Sequence, residues 1–510
     1  MNILLINPNR EQMPWPVVPV GLAFVASALS DAGHAVDFLD LTFARDLGRA
    51  VRDRLRASQP DLVAVGIRNL DNCNFERPVF FLTEIRDTVV AAVRRHAPRA
   101  PLVVGGAAVN VSPGDVLDYL HADFALVGEG ERAMPELVQA LESGRDPGGL
   151  PGVLGRTGAR VALPILDTGN IGRSEPRAGR AQAEAPIGWS RAHRWVDLPR
   201  YAALGTPYPI QTKRGCALDC VYCVYNNIEG RRYRLREPQD VALEIEEAIS
   251  HGVRHVELVD STFNLPLSHA RALCAELERR KLPVELSTMG LNPAGVTEEL
   301  VGAMKRAGFR SVMCTPESAS EATLATLQKG FGKQAVERTA KALRDAELPT
   351  WWFFLLGAPG ETLETVRETL AFCEENIPPS HVVLFATGLR VYAGTPLERV
   401  CKESGWFEAD DPLFEPSWYL SPELDLLALY ETLVDAAKRH PNWMVNAETV
   451  LSPTLARVMK HAFRAVGWRG PFWQHLPKLF RLAAQVGARQ RGLREATDSM
   501  RKITTVQHHR

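Results

Sequence analysis

The chain has 510 residues, 45% of them hydrophobic and 23% charged, with a formal net charge of −1. That length asks for two or three domains, and the balance of charge gives no sign of a nucleic acid partner. No run of about 18 apolar residues announces a membrane span. The start MNILLINPNR reads as a first strand and not as a signal peptide with a basic head, so a cytoplasmic enzyme is expected.

Residues 1–150 alternate short β-branched runs with amphipathic stretches. Strands are read at NILLINP, HAVDFLDL, DLVAVGIR, PLVVGG and DFALVG, with helices at about 20–32, 46–58, 78–97, 114–121 and 131–143. This pattern predicts a parallel sheet covered by helices on both faces, a flavodoxin-like unit. Ligands of such sheets sit beyond the carboxyl ends of the strands, at the switch in strand order. The residues placed there are Asn7 and Pro8, the run from Arg68 and Asn69 to Asn72, Gly105 and Gly106, and the run Gly128, Glu129, Gly130, Glu131.

From about 151 to 200 the pattern fails, and GRSEPRAGRAQAEAP reads as a linker or loop. A second βα series spans 201–400, with strands at YPIQTKR, HVELVD, VELSTMG, SVMCTPES, WWFFLLG and VVLFATGLRVY. Six repeats predict a partial (β/α)6 relative of the TIM barrel, whose chemistry collects at the carboxyl ends of the strands. Trp351 and Trp352 are adjacent on one strand, so only one can face the barrel interior. Residues 401–510 lack strand signals and are read as a helical region. Its basic stretch around PFWQHLPKLFRLAAQ suits a solvated face first and a membrane-surface contact second.

Five of the eight cysteines, Cys73, Cys274, Cys314, Cys373 and Cys401, are scattered as buried small hydrophobes usually are. The other three, Cys216, Cys220 and Cys223, fall within RGCALDCVYCVYNN, just after the first barrel strand. Three core cysteines, a zinc site and an iron-sulfur cluster are the readings to weigh. A structural zinc wants a fourth ligand, and the nearest histidines belong to the next helix and strand. A [4Fe-4S] cluster held by three thiolates leaves one iron open to bind something else.

The spacing C-x3-C-x2-C with Tyr222 before the last cysteine resembles the radical SAM enzymes. In that family the open iron chelates S-adenosyl-L-methionine (SAM), which an electron from the cluster splits to a 5'-deoxyadenosyl radical. The resemblance implies metal-ligand and catalytic roles for Cys216, Cys220 and Cys223. It implies SAM contacts for Asp260, Ser261 and Thr262 in HVELVDSTFN, for Glu317 in CTPESASEATLATLQKGF with Lys329 nearby, and for Gly357 in LLGAPGETLETV. It also implies an external low-potential electron donor of flavodoxin or ferredoxin type.

Before that barrel, VVPVGLAFVASALSDAGHAVDFLDL and GEGE resemble the start and the fifth strand of cobalamin-binding domains. NPNREQMPWP stands where many of these have D-x-H-x-x-G, so cobalamin is expected base-off, without a protein imidazole below cobalt; His34 reads as a surface residue. Arg68 becomes a candidate for the lower face, with a plain ion pair to Asp71 as the alternative. The activity implied is methylation of an unactivated, mainly carbon, centre of a small-molecule or natural-product substrate through methylcobalamin and the 5'-deoxyadenosyl radical. The runner-up is a ring-forming, ring-contracting or oxidative reaction without methyl transfer. Methylthiotransferases would need three more cysteines in the first domain, which has only Cys73, and a non-enzymatic cobalamin carrier would leave the three-cysteine motif unused. Tyr392 is read as a substrate wall.

Overall fold

The first strand explains the first layer architecture. In β1 (Asn2–Asn7) the four residues Ile3 to Ile6 are fully buried: Leu4 and Ile6 enter one hydrophobic cluster and Ile3 and Leu5 the other. Apolar residues on both faces are what a strand between two helical layers requires. The computed structural model describes residues 1–12, 15–156 and 187–445, with Val458 and Ala462. β1, β2 (Ala35–Asp40), β3 (Leu62–Gly66), β4 (Leu102–Gly105) and β5 (Phe124–Leu126) form a parallel sheet in the order β2-β1-β3-β4-β5. The switch in order lies between β1 and β3. Helices Val20–Asp31 and Gly130–Glu142 cover one face; Leu47–Ser58 and the helical stretch from Phe81 to His96 cover the other. A sixth strand, β6 (Val153–Gly155), adds antiparallel to β5 in a segment the sequence reading assigns to the linker.

The segment 187–203 is packed between the two layers. Ser27 Oγ donates to the Ser190 carbonyl (2.8 Å), Trp195 Nε1 donates to Ser27 Oγ (3.0 Å), and Glu244 of the barrel accepts from the Ser190 backbone N–H (3.2 Å). The linker stretch GRSEPRAGRAQAEAP lies outside the described residues.

The second layer system begins with β7 (Tyr208–Ile210). A two-stranded hairpin, β8 (Lys213–Arg214) and β9 (Arg234–Leu235), follows, and then β10 (His255–Leu258), β11 (Glu285–Leu291), β12 (Phe309–Glu317), β13 (Thr350–Leu356) and β14 (Val382–Thr387). The short β15 (Leu389–Arg390) and β16 (Trp418–Tyr419) pair antiparallel, and β17 (Trp443–Val445) returns to the edge of the large sheet. All seven strands of that sheet run parallel, in the order β17-β14-β13-β12-β11-β10-β7. The partial barrel thus has one strand more than the six repeats of the sequence. The addition comes from a region read as helical, which does carry helices Pro396–Glu403 and Leu426–Arg439. The basic stretch PFWQHLPKLFRLAAQ lies outside the described residues. Among those described, no helix is long and apolar enough to cross a membrane.

Alternation on β13 settles the tryptophan question. Trp352 packs against Phe372 of helix Leu363–Asn376, whereas Trp351 points to the barrel interior and meets Trp15 of the first domain edge-on, 6.4 Å between ring centroids. A second insertion from the first domain, residues 71–80, crosses to the barrel. Asp71 pairs with buried Arg390 (2.9 Å), Glu76 accepts from the Tyr430 hydroxyl, and Phe75 lies edge-on to Trp418.

Candidate active site

The cysteine loop is held by its backbone before any ligand is considered. At Gly215 φ is +94°, and an added Cβ would lie 1.9 Å from the Arg232 carbonyl oxygen, so only glycine fits between the hairpin strands. Cys216 N–H donates to the Gly230 carbonyl (2.9 Å), Val221 N–H to Leu327 (3.0 Å) and Cys223 N–H to Cys220 (3.1 Å). The three thiols are near enough for their charges to act on one another. Burial, and after it the other cysteines among smaller causes, pushes Cys220 up and Cys223 up to about 12. Such thiols ionise readily only against a bound cation, which is the condition a metal cluster meets.

The residues after β10 divide. Ser261 Oγ donates to the Gly215 carbonyl (2.9 Å) and Thr262 Oγ1 lies 4.0 Å from Cys216 Sγ, so both abut the loop. Asp260 does not face outward. Its carboxylate accepts from Thr212 N–H (2.7 Å), Thr212 Oγ1 (2.5 Å) and Lys213 Nζ (2.9 Å), with Lys213 also on the Phe263 carbonyl (2.8 Å). Both side chains of this ion pair are fully buried. The Asp260 oxygens thus fix the stem of the cysteine loop.

Lys329 lies beside Glu317 as the sequence reading expects, and Tyr222, from the cysteine loop, joins them. The Tyr222 hydroxyl donates to Glu317 Oε1 (2.8 Å), and Lys329 Nζ is 3.3 Å from both. Glu317 sits at φ +67°, an uncommon conformation for a residue with a side chain, and its Oε2 is buried without a hydrogen-bond partner among the described residues. Burial pushes its carboxyl up, opposed by Lys329; burial by itself would lower Lys329, but Glu317 together with Cys220 and Cys223 raises it. An orphaned carboxylate oxygen beside a cysteine loop suits a ligand hydroxyl such as that of ribose. Gly357 (φ +103°) follows β13, where a Cβ would meet Leu420 at 2.6 Å. Its N–H and that of Ala358 converge on Glu361.

At the strand ends of the first domain lies a cavity of about 180 Å³. Gly105, Gly106, Gly128, Glu129 and Gly130 line it, together with Phe24 and Asn110. Gly106 has φ +105°, and a Cβ there would lie 2.4 Å from the Ile67 carbonyl oxygen. Asn110 Oδ1 accepts from the Gly128 N–H (2.7 Å) and fixes that loop. The far wall belongs to the hairpin: Arg214 pairs with Glu129 (2.8 Å) and with Glu131, Arg234 pairs with Glu129, and Arg214 lies over the Phe24 ring (4.9 Å). Arg214 is the residue before Gly215. The cavity and the cysteine loop therefore share one hairpin.

The other first-domain residues singled out from the sequence lie outside this cavity. Asn7 and Pro8 are buried and outside the cavity. Asn7 Nδ2 turns to Asp40 (2.9 Å) and Thr42 (3.1 Å), a network that Tyr201 closes from the segment 187–203. Arg68 and Asn69 are exposed at the end of β3, also outside the cavity. Arg68 is not the partner of Asp71, which Arg390 takes, and its charge is felt by Tyr225, just after the cysteine loop. Cys73, expected buried, is exposed; its thiol is 3.1 Å from the Tyr392 hydroxyl, which ties Tyr392 to the domain contact. Sequence reasoning missed Arg214, Lys213, Asn110 and Phe24 as site residues, and only the position of Arg214, two residues before Cys216, carries any local signal.

Comparison with known proteins agrees with this geometry. The family model described as the Radical SAM superfamily matches residues 210–373, and that described as the B12 binding domain matches 13–138. Tryptophan 2-C-methyltransferase of Streptomyces laurentii is 29% identical over 439 residues, 76% of this chain and 72% of that one. Anaerobic magnesium-protoporphyrin IX monomethyl ester cyclase of Synechocystis is 25% identical over 69% of this chain and 68% of its own. Among solved structures, the radical S-adenosylmethionine methyltransferase TsrM from Kitasatospora setae, with cobalamin and a [4Fe-4S] cluster bound, superposes with a TM-score of 0.79 at 26% identity, over 98% of this chain and 100% of that one. Both domain models, in the order the sequence suggests and on the fold of a cobalamin-bound relative, place the chain in the cobalamin-dependent radical SAM enzyme family.

Proposed function

We propose that this enzyme methylates a carbon centre of a small-molecule substrate, drawing electrons from an external low-potential donor of flavodoxin or ferredoxin type. The observation that carries the reading is the shared hairpin: Arg214 closes the glycine-lined cavity while the next residues begin the cysteine loop. The likeness to a tryptophan 2-C-methyltransferase over three quarters of the chain supports methyl transfer to carbon.

When bound, the cluster with SAM supplies an electron and a 5'-deoxyadenosyl radical, and cobalamin supplies the methyl group. The protein's own residues then have separable tasks. Cys216, Cys220 and Cys223 hold the cluster, with Ser261 and Thr262 against the loop. Glu317 Oε2, steadied by Tyr222 and Lys329, accepts from the ribose, and the turn at Gly357 admits the adenine. The glycines at the ends of β4 and β5 would receive the cobalamin tail, and Arg68, exposed after β3, would offer a cation, not a ligating imidazole, beside it. Trp15 and Trp351 present apolar faces inside the barrel, excluding water from a reactive centre.

The test is anaerobic turnover with tryptophan and related small aromatic metabolites, counting products. Methylated product accompanied by both S-adenosylhomocysteine and 5'-deoxyadenosine, two SAM per turnover, is expected. Methylation without 5'-deoxyadenosine would make the transfer non-radical. A cyclised or oxidised product without methyl incorporation would favour the reading closer to the cyclase relative.

A further inference from the structure

On the opposite end of the barrel from the cysteine loop, three side chains converge that the methylation chemistry does not use. Helix Pro238–Ser250 runs back from the carboxyl ends of the strands, so its C-terminus lies at the amino-terminal face of the sheet. Glu247 and His251 stand four residues apart at that end, on one face of the last turn. His193 reaches them from a short turn, Ala192–Arg194, in the segment that packs against the first domain. One ligand atom from each of the three lies within 4.8 Å of the others.

The details favour a ligand over a settled ion pair. The His193 side chain is 4% exposed, and its Nε2 has no hydrogen-bond partner among the described residues; Glu247 Oε1 stands 3.6 Å away, too far for a good hydrogen bond. Its other nitrogen, Nδ1, faces the Tyr208 hydroxyl at 3.4 Å. With the proton on Nδ1, the Nε2 lone pair is presented to Glu247 and His251, which is how an outer partner orients a metal-bound histidine. The two imidazoles stack with centroids 4.0 Å apart and 15° between planes. Arg191, nearby, is already neutralised by Asp31 (2.8 Å).

We propose that His193, Glu247 and His251 bind a divalent transition metal ion of the zinc class. Two imidazoles and one carboxylate form a borderline donor set, which suits zinc and its neighbours and suits calcium or magnesium poorly. His251 is exposed, so water completes the coordination. The ion would pin the segment 187–203 to the first helix of the barrel. Because Ser27 and Asp40 of the first domain hold that same segment, the metal would fix how the two domains are tied.

The test uses the full chain with its cluster and cobalamin reconstituted, so that the cysteines are occupied. After treatment with a chelator, zinc alone is added, free metal is removed, and zinc and iron are counted per chain. One zinc is expected in the wild type, with histidine nitrogen in its X-ray absorption spectrum. His251→Ala, at an exposed position, and His193→Ala should each lose it with iron unchanged. Tyr208→Phe should weaken zinc by roughly 10-fold, as removal of an outer partner does. Zinc should raise the unfolding temperature of the wild type and leave that of His251→Ala unmoved. No zinc bound by wild type, or zinc retained in equal amount by His251→Ala, overturns the site.

Discussion

The two strand-end faces of this enzyme are built by opposite means. The first domain makes its cavity by leaving side chains out: Gly105, Gly106, Gly128 and Gly130 line the space, and Gly106 could not carry a Cβ. The barrel face is made by holding side chains in: Lys213 with Asp260, Lys329 with Glu317 beside Tyr222, and Arg390 with Asp71, each ion pair buried. A bulky tail needs room and an approachable backbone, whereas a cluster and a radical precursor need fixed charges and donors. The difference predicts that subtracting atoms harms the barrel and adding atoms harms the first domain.

The largest effect follows from subtraction at the loop. Cys220→Ala should take iron from about four per chain to near zero and abolish 5'-deoxyadenosine formation, with the circular dichroism of the fold retained. Next, Lys329→Met leaves Glu317 buried without its cation and should cost about 3–5 kcal/mol in denaturant unfolding. Joining Glu317→Gln to it should recover much of the loss; no recovery would deny that the pair acts as a unit.

Glu257 sharpens the contrast through pH. It lies on β10, with Ser287 Oγ donating to it at 3.4 Å, and burial pushes its carboxyl up to about 7. Between its ordinary value and 7 the folded protein holds a proton that the unfolded chain releases, so this group makes stability fall as pH rises through that window. Glu257→Gln should therefore gain up to about 3 kcal/mol over the wild type near pH 8 and nothing below about pH 4. Neighbouring His255, pushed down to about 4 by burial, acts with the opposite sign in both proteins and leaves the difference intact.

Addition is the converse test. Gly106→Ala should cost roughly 1–3 kcal/mol through backbone strain and release cobalamin on desalting. Gly114→Ala, with nothing within 4 Å of its Cβ, should do neither. The smallest effect on stability belongs to exposed Arg68→Ala, within about 0.5 kcal/mol, while the optical spectrum of bound cobalamin changes. An unchanged spectrum and turnover would remove Arg68 from the cobalt face.

Much of this was legible in local sequence. The three cysteines, the strand-end glycines and Glu317 with Lys329 belong to short motifs whose geometry is mostly local. Side-chain direction was not legible. Asn7 and Asp260 both sit at strand ends as expected, yet turn inward because Asp40 and Lys213 offer better partners there than solvent does. β17 escaped because three residues, WMV, carry no alternation to read, and its pairing with β14 joins residues about sixty positions apart. The Arg214 contacts with Glu129 and Glu131 join residues more than eighty apart, so no window of sequence displays them.

The most direct measurement is on one anaerobic sample reconstituted with iron, sulfide and hydroxocobalamin, reduced, and divided. The electron paramagnetic resonance of the [4Fe-4S] cluster should change when SAM is added, and the cobalamin retained after desalting should be base-off with no nitrogen coupling to cobalt. A cluster signal indifferent to SAM, or a protein that keeps no cobalamin, would contradict the assignment of the two facing sites.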